Sequence, residues 1–140
     1  MILVDSSVLI RFLGSKKADW ATKALDDIIA QDIPFAICPY VYTEVLQGTA
    51  DELTYRRVRA YLDTVECLWL PPRLEVFEKA ARLYWELRRR GVTVHSTIDV
   101  LIALTAIEHE AFLLHDDRDF DAIAAAGTGL KIFGQNRIRA

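Results

Sequence analysis

The chain has 140 residues, of which 52% are hydrophobic and 26% charged, and its formal net charge is −3. This length suits one domain over residues 1–140, and the slightly acidic balance excludes a general polyanion binder. No apolar run approaches the ~20 residues of a membrane span, and Asp5 interrupts the first run too early for a signal peptide. We therefore expect a cytoplasmic protein without a membrane segment, in which Cys38 and Cys67 are reduced.

Short apolar runs alternate with longer helical patterns along the chain, which is typical of β-α units on a parallel sheet. The runs are apolar on both sides, as expected for strands that helices cover on both faces. In chain order, the predicted strands span residues 2–4, 35–37, 65–70, 112–114 and 131–133. The predicted fold class is therefore a three-layer α/β/α domain with a central parallel sheet of about five strands.

Helical patterns fill the stretches between these strands. The predicted helices span residues 6–13, 18–31, 40–47, 52–63, 74–90, 96–108 and 119–126. The helix over 74–90 is amphipathic, with Phe77, Ala81, Tyr84 and Leu87 on its predicted apolar face. The pattern over 96–108 is apolar nearly all round, which indicates a central, buried helix.

Three acidic residues, Asp5, Glu44 and Asp99, stand in otherwise apolar surroundings, and a fourth, Asp117, lies in a charged stretch directly after an apolar run. Asp5 and Asp117 follow predicted strands, and Asp99 lies in the first turn of the predicted buried helix. Glu44 lies on the helix after the second strand. Since sites in parallel α/β sheets form outside the carboxyl ends of the strands, all four acids can meet at one edge. Buried charges need a partner, so we expect a cation that prefers oxygen ligands, Mg²⁺ or Mn²⁺.

Simpler interpretations exist for single acids. Asp5 can cap the first helix, Asp99 can complete a capping box with Ser96, and Asp119 can cap the last helix. Glu44 lies inside a predicted helix and can cap nothing, so the joint placement favours a site. His115 precedes Asp117 by two residues and is expected to be a solvated turn residue rather than part of the outer shell of a metal site.

The segments around the four acids resemble the motifs of PIN-domain nucleases, and in particular of the VapC-type toxins of prokaryotic toxin–antitoxin pairs. The first segment ends a hydrophobic strand in Asp-Ser-Ser, and the last contains Asp-Arg-Asp-Phe. The matching segments are residues 2–10, 42–48, 97–103 and 114–120. The resemblance extends from residue 2 to about residue 133. It implies a PIN-like fold, Mg²⁺- or Mn²⁺-dependent endoribonuclease activity, a homodimer, and inhibition by a small antitoxin protein.

Site residues follow from the same resemblance. It assigns catalysis and metal binding to the acidic quartet Asp5, Glu44, Asp99 and Asp117. It assigns auxiliary roles to Ser6, Asp116 and Asp119. This chain departs from many relatives at His115, where they carry Thr or Ser, and at the extra acid Asp116. Which carboxylates of this turn bind metal therefore stays open.

The inferred chemistry is metal-assisted hydrolysis of RNA phosphodiesters, in which Glu44 orients the attacking water or helps to hold a second ion. Because the mouth of such a site is acidic, cationic groups should flank it where RNA or the antitoxin binds. The candidates are Arg11, Lys16 and Lys17.

Two other functions compete with this one. A phosphoacceptor domain of the receiver type also clusters acids at strand ends and binds Mg²⁺. It typically has an acidic pair after the first strand and a lysine after the last, whereas here Asp5 is followed by serines and Lys131 begins the last strand. A PIN-like module that binds RNA or a partner without cleaving is the second alternative.

Overall fold

The protein is described by a computed structural model that covers residues 1–14 and 19–134. Its strands are β1 (Ile2–Val4), β2 (Phe35–Ile37), β3 (Glu66–Cys67), β4 (Phe112–Leu114) and β5 (Lys131–Ile132). They form one sheet in the order β3-β2-β1-β4-β5, and every neighbouring pair is parallel. The predicted parallel α/β sheet is confirmed.

Helices lie between successive strands. They are α1 (Ser6–Leu13), α2 (Trp20–Ala30), α3 (Pro39–Gln47), α4 (Glu52–Leu62), α5 (Leu74–Arg89), α6 (Thr97–Glu108) and α7 (Arg118–Ala125). Each agrees with a predicted helix to within two residues at either end. α1 packs against α2 and α3, while α6 packs against α5, α3 and α7. The predicted central helix is confirmed, because six residues of α6 from Val100 to Ala106 are buried.

The predicted strand over 65–70 is too long. Only Glu66 and Cys67 pair as a strand, with Ala36 and Ile37 of β2 as their partners. β3 lies at the edge of the sheet, so its length is limited by the three residues of β2. The amide of Leu68 still donates to the carbonyl of Ile37 at 2.8 Å, and the chain then leaves the sheet.

The predicted apolar face of α5 is wrong in part. Leu87 is buried as expected, but Phe77 is 41% exposed and Ala81 is also exposed. The buried positions are Val76, Ala80 and Leu87. α5 packs against α6 along this stripe, which begins one residue earlier than the sequence pattern indicated.

The cysteines have the expected state: Cys38 and Cys67 are both free. Burial is the main cause that raises the pKa of the Cys38 thiol to about 12. In the described part of the chain, no helix combines the length and apolarity that a membrane crossing needs.

The topology fixes where a site can form. β1 and β4 are parallel neighbours at the centre of the sheet, so the turns that follow them lie at the same edge. The amide of Asp5 donates to the carbonyl of Leu114 at 2.9 Å and ties the two turns together. The strand order also argues against the receiver alternative, because receiver domains have the order 2-1-3-4-5.

Candidate active site

Asp5 occupies the turn between β1 and α1. Its side chain caps α1, since Oδ2 accepts from the Ser7 amide at 3.1 Å and from Ser7 Oγ at 2.6 Å. Its other oxygen, Oδ1, is the only buried side-chain oxygen or nitrogen without a hydrogen-bond partner in residues 1–14 and 19–134. Burial raises the pKa of Asp5, although the bonds from Ser7 oppose this shift. The cap interpretation of Asp5 is thus correct but accounts for only one of its two oxygens.

Glu44 approaches the same edge from α3. Ser6 Oγ donates to Glu44 Oε1 at 2.9 Å, which links the start of α1 to the middle of α3. Burial raises the pKa of Glu44, and the negative charges of Asp5 and Asp117 raise it further. Those two contributions place Glu44 within electrostatic reach of both turns.

Three aspartates form the tightest group. Asp99, Asp117 and Asp119 each offer a carboxylate oxygen, and these oxygens lie within 4.8 Å of one another. The pKa of Asp99 is raised to about 7, first by burial and then by the charges of Asp5, Asp117, Glu44 and Asp119. Near pH 7, Asp99 is therefore protonated in part of the folded molecules, as expected for a carboxyl group that is partly buried among like charges.

The helix caps near this group differ from two of the simpler interpretations. α7 is capped by Asp117, whose Oδ1 accepts from the Asp119 amide at 2.9 Å, and not by Asp119. α6 is capped by Ser96, whose Oγ accepts from the Ile98 amide at 3.1 Å. Within the described ranges, no capping box joins Ser96 to Asp99.

His95 holds Asp119 in place, a contact that the sequence did not predict. Asp119 Oδ2 accepts from the His95 amide at 3.0 Å and lies 2.9 Å from His95 Nδ1. Burial raises the pKa of Asp119, but the hydrogen bonds from His95 and the charges of His95 and Arg118 together lower it, so the net shift is downward. The hydrogen bond to Asp119 in turn raises the pKa of His95. The two residues lie 24 positions apart in the chain, so no local sequence signal indicates this pair.

Asp116 points to a different partner. Its carboxylate pairs with Arg11 Nη1, which also pairs with Asp19 Oδ2 at 2.6 Å. Of the three acids in this turn, Asp117 and Asp119 therefore join Asp99, whereas Asp116 binds Arg11. The expected contact of Arg11 with RNA or an antitoxin stays a prediction, and Lys16 and Lys17 lie outside the described residues.

His115 is buried, with 5% of its surface exposed, so the expectation of a solvated turn residue is wrong. Its Nδ1 accepts from the Asp117 amide at 3.0 Å.

The whole edge therefore combines five carboxylates from four segments with little positive charge to balance them. The donors are oxygens only, which is the set that Mg²⁺, Mn²⁺ and Ca²⁺ prefer over zinc. The unpartnered Oδ1 of Asp5 is a buried carboxyl oxygen to which no described residue donates a hydrogen bond. The residues present fit a divalent cation.

Comparison with known proteins identifies the family. The PIN domain family model matches residues 2–126. Ribonuclease VapC11 of Mycobacterium tuberculosis is 32% identical over 124 residues, which cover 89% of this chain and 92% of the relative. VapBC2 of Rickettsia felis, bound to a DNA fragment from its promoter, aligns with a TM-score of 0.72 at 20% identity, over 94% of this chain and 97% of that chain.

A second solved structure, the sarcin–ricin loop cleaving toxin VapC20 of Mycobacterium tuberculosis, aligns with a TM-score of 0.67 at 16% identity. It covers 91% of this chain and 95% of that chain. Identities this low show the shared fold. The family model and the VapC11 relative show more: this chain belongs to the PIN domain family, in its VapC ribonuclease group.

Proposed function

We propose that this chain is a Mg²⁺- or Mn²⁺-dependent endoribonuclease and the toxin of a toxin–antitoxin pair. One observation carries the proposal: acids far apart in the chain meet at the carboxyl edge of the sheet without enough positive charge to balance them. The unpartnered Oδ1 of Asp5 and the raised pKa of Asp99, about 7, are the two measures of that imbalance. Membership of the VapC group adds that relatives with this fold are named ribonucleases.

Asp5, Asp99 and Asp117 would hold the ion. Asp5 contributes its unpartnered oxygen, and Asp117 has one oxygen engaged with the Asp119 amide and a second oxygen for a cation. Asp119 is an auxiliary ligand, because His95 already bonds to its carboxylate. A bound ion would supply a Lewis acid that activates water and offsets negative charge on the scissile phosphate.

Glu44 has the position and the protonation behaviour of a group that orients water. Ser6 donates to one of its oxygens, which leaves the other to accept from a water beside the aspartates. Burial raises the pKa of Glu44, which makes its carboxylate a stronger base for a proton of that water. Attack of water in line with the leaving group would release a 5′-phosphate and a 3′-hydroxyl.

The proposed partners are an RNA substrate, a second copy of the chain and a small antitoxin protein. VapC11 is described as a ribonuclease and VapC20 as a toxin that cleaves the sarcin–ricin loop. These two descriptions support RNA as the substrate class and a toxin role here. The homodimer and the antitoxin follow from the VapC resemblance.

The experiment is RNA cleavage by the purified protein with Mg²⁺, Mn²⁺ or EDTA, with 5′-end mapping of the products. Asp99→Asn should reduce cleavage at least about 100-fold, since loss of a ligand disables metal-assisted hydrolysis. Asp26→Asn, an exposed acid on α2 with the same change of charge, is the matched control and should retain activity. Equal activity of Asp99→Asn and wild type would refute the proposal, and RNA binding by an inactive wild type would favour the non-cleaving PIN alternative.

A further inference from the structure

His115 lies in the turn that carries Asp117, where it is buried and both its ring and its two ring nitrogens make contacts. It follows β4 directly, and only 5% of its surface is exposed. Its ring packs against Phe120, with 5.2 Å between ring centroids and 56° between planes. Phe120 is itself fully buried in α7. The imidazole therefore has one position, set by the core beneath the turn.

The partners of the two ring nitrogens define the tautomer. Nδ1 lies 3.0 Å from the Asp117 amide, which can only donate, so Nδ1 must accept. Nε2 lies 3.3 Å from Asp121 Oδ1, which accepts when ionised. A neutral imidazole has one donor and one acceptor, and these contacts assign the proton to Nε2.

The contact at Nδ1 acts on the orientation of Asp117. The amide of Asp117 is fixed by His115, and Asp117 Oδ1 is fixed by the Asp119 amide at 2.9 Å. With both ends of the residue restrained, its second carboxylate oxygen has a defined direction. In this arrangement a carboxylate oxygen of Asp117 lies within 4.8 Å of a carboxylate oxygen of Asp99 and of Asp119.

We propose that His115 is a positioning residue for the cation site: its neutral Nδ1 holds the Asp117 amide and thereby aims the Asp117 carboxylate at Asp99 and Asp119. The inference rests on the proposed function, because it concerns the same site. Loss of a hydrogen bond that orients a metal ligand typically weakens metal affinity by about 10–100-fold.

A purely structural role is the competing explanation, and two amide substitutions separate it from positioning. In His115→Asn, the side-chain oxygen occupies the place of Nδ1 and can accept from the Asp117 amide. In His115→Gln, the amide nitrogen reaches the place of Nε2 and faces Asp121, while no acceptor remains for Asp117. Both variants lose the ring contact with Phe120, so a structural role predicts the same loss in both.

The test is calorimetric titration of the full-length protein with Mn²⁺, together with kcat and KM for RNA cleavage. His115→Gln should bind Mn²⁺ about 10–100-fold more weakly. Its kcat for RNA cleavage should fall, while its KM for RNA should stay unchanged. His115→Asn should bind Mn²⁺ within about threefold of wild type, at the same melting temperature as His115→Gln. Equal affinities of His115→Gln and wild type, or equal losses in the two variants, would overturn the positioning role.

A second pair on the surface keeps the proposal testable if both His115 variants fail to fold. Asp121→Ala removes the acceptor that keeps the proton on Nε2, whereas Asp121→Asn removes the charge but keeps an acceptor oxygen. Weaker Mn²⁺ binding by Asp121→Ala than by Asp121→Asn supports the proposal, and equal binding overturns it. If wild type binds Mn²⁺ and these differences are absent, only the role of His115 fails. If wild type binds no Mn²⁺, the proposed function fails with it.

Discussion

The acidic edge of the sheet and the outer face of α5 both carry many charged side chains, but they arrange them in opposite ways. On α5, Arg82 pairs with Glu86 at 3.0 Å one turn away, and Lys79 pairs with Glu108 of α6 at 3.3 Å. Arg82 and Arg89 also lie over the Trp85 ring, at 4.8 and 4.6 Å from its centroid. Opposite charges alternate there, and water screens them.

At the acidic edge, charges of one sign collect and are partly removed from water. Burial raises the pKa of Asp5, Glu44 and Asp99, and neighbouring negative charges raise the pKa of Glu44 and Asp99 further. The two surfaces are both rich in charge, so charge content alone does not mark a site. What marks it is a set of like charges that the folded chain leaves without compensation, because only a ligand can then supply it.

The largest expected effect comes from removing a ligand at the acidic edge. Asp117→Asn should weaken Mn²⁺ binding at least about 100-fold, because it removes both the charge and the second oxygen of a residue in the tightest group. Glu86→Gln on α5 removes the same charge from an alternating pair and should change Mn²⁺ affinity less than about twofold. Calorimetric titration of both variants decides the matter, and similar affinities would show that the two surfaces do not differ as described.

The second effect is a gain in stability without metal. Asp99→Asn should stabilise the metal-free fold by about 1 kcal/mol, less than the full pKa shift implies because water screens a half-buried group. For a chain of this size, that corresponds to a rise in Tm of about 2–4 °C. The measurement is thermal unfolding in EDTA at pH 8. A lower Tm for Asp99→Asn would mean that this carboxylate stabilises the empty site.

The third effect is the pH dependence of that difference. The pKa of Asp99 is about 7 in the folded state and 3.8 in the unfolded reference, so the folded state binds more protons between these values. Its contribution to the free energy of unfolding is therefore present below pH 3.8 and is lost as the pH rises to about 7. The stability gap between Asp99→Asn and wild type should open from pH 4 to pH 7 and stay constant above. Urea unfolding in EDTA across this range measures it, and a constant gap would contradict the assigned pKa.

The smallest effect belongs to α5. Arg82→Ala removes the exposed ion pair with Glu86, one helical turn away, and the cation–π contact with Trp85. The free energy of unfolding should fall by no more than about 1 kcal/mol. RNA cleavage should not change. A loss of several kcal/mol, or a loss of cleavage, would show that α5 is coupled to the site more closely than its exposed charges indicate.

Much of the fold is readable from the sequence because the central strands are buried on both faces. β1, β2 and β4 have the predicted bounds, since Asp5 ends the first apolar run, Pro34 precedes the second and His115 ends that of β4. The edge strand β3 was predicted too long, because its end is set by the length of β2 rather than by its own residues. The face of α5 was misjudged by one residue, because Phe77 and Val76 are both apolar and only packing against α6 distinguishes them.

The acidic residues at this edge could be predicted from the sequence, but the contacts that each of them makes could not. Isolated acids in apolar runs indicated Asp5, Glu44 and Asp99, since few other roles suit a carboxylate there. The division of the last turn was not readable, because Asp116 binds Arg11 from a segment 105 residues away. The burial of His115 was missed for a related reason: its partners, Phe120 and Asp121, face it only once α7 has folded back.

The most direct test of a carboxylate site that a divalent cation completes is a crystal structure of the protein soaked in Mn²⁺, with the ion located by anomalous scattering. We expect one peak bound by oxygens of Asp5, Asp99 and Asp117, with Asp116 still on Arg11. A map without an anomalous peak at this edge, or with these aspartates paired to arginine instead, would contradict the account.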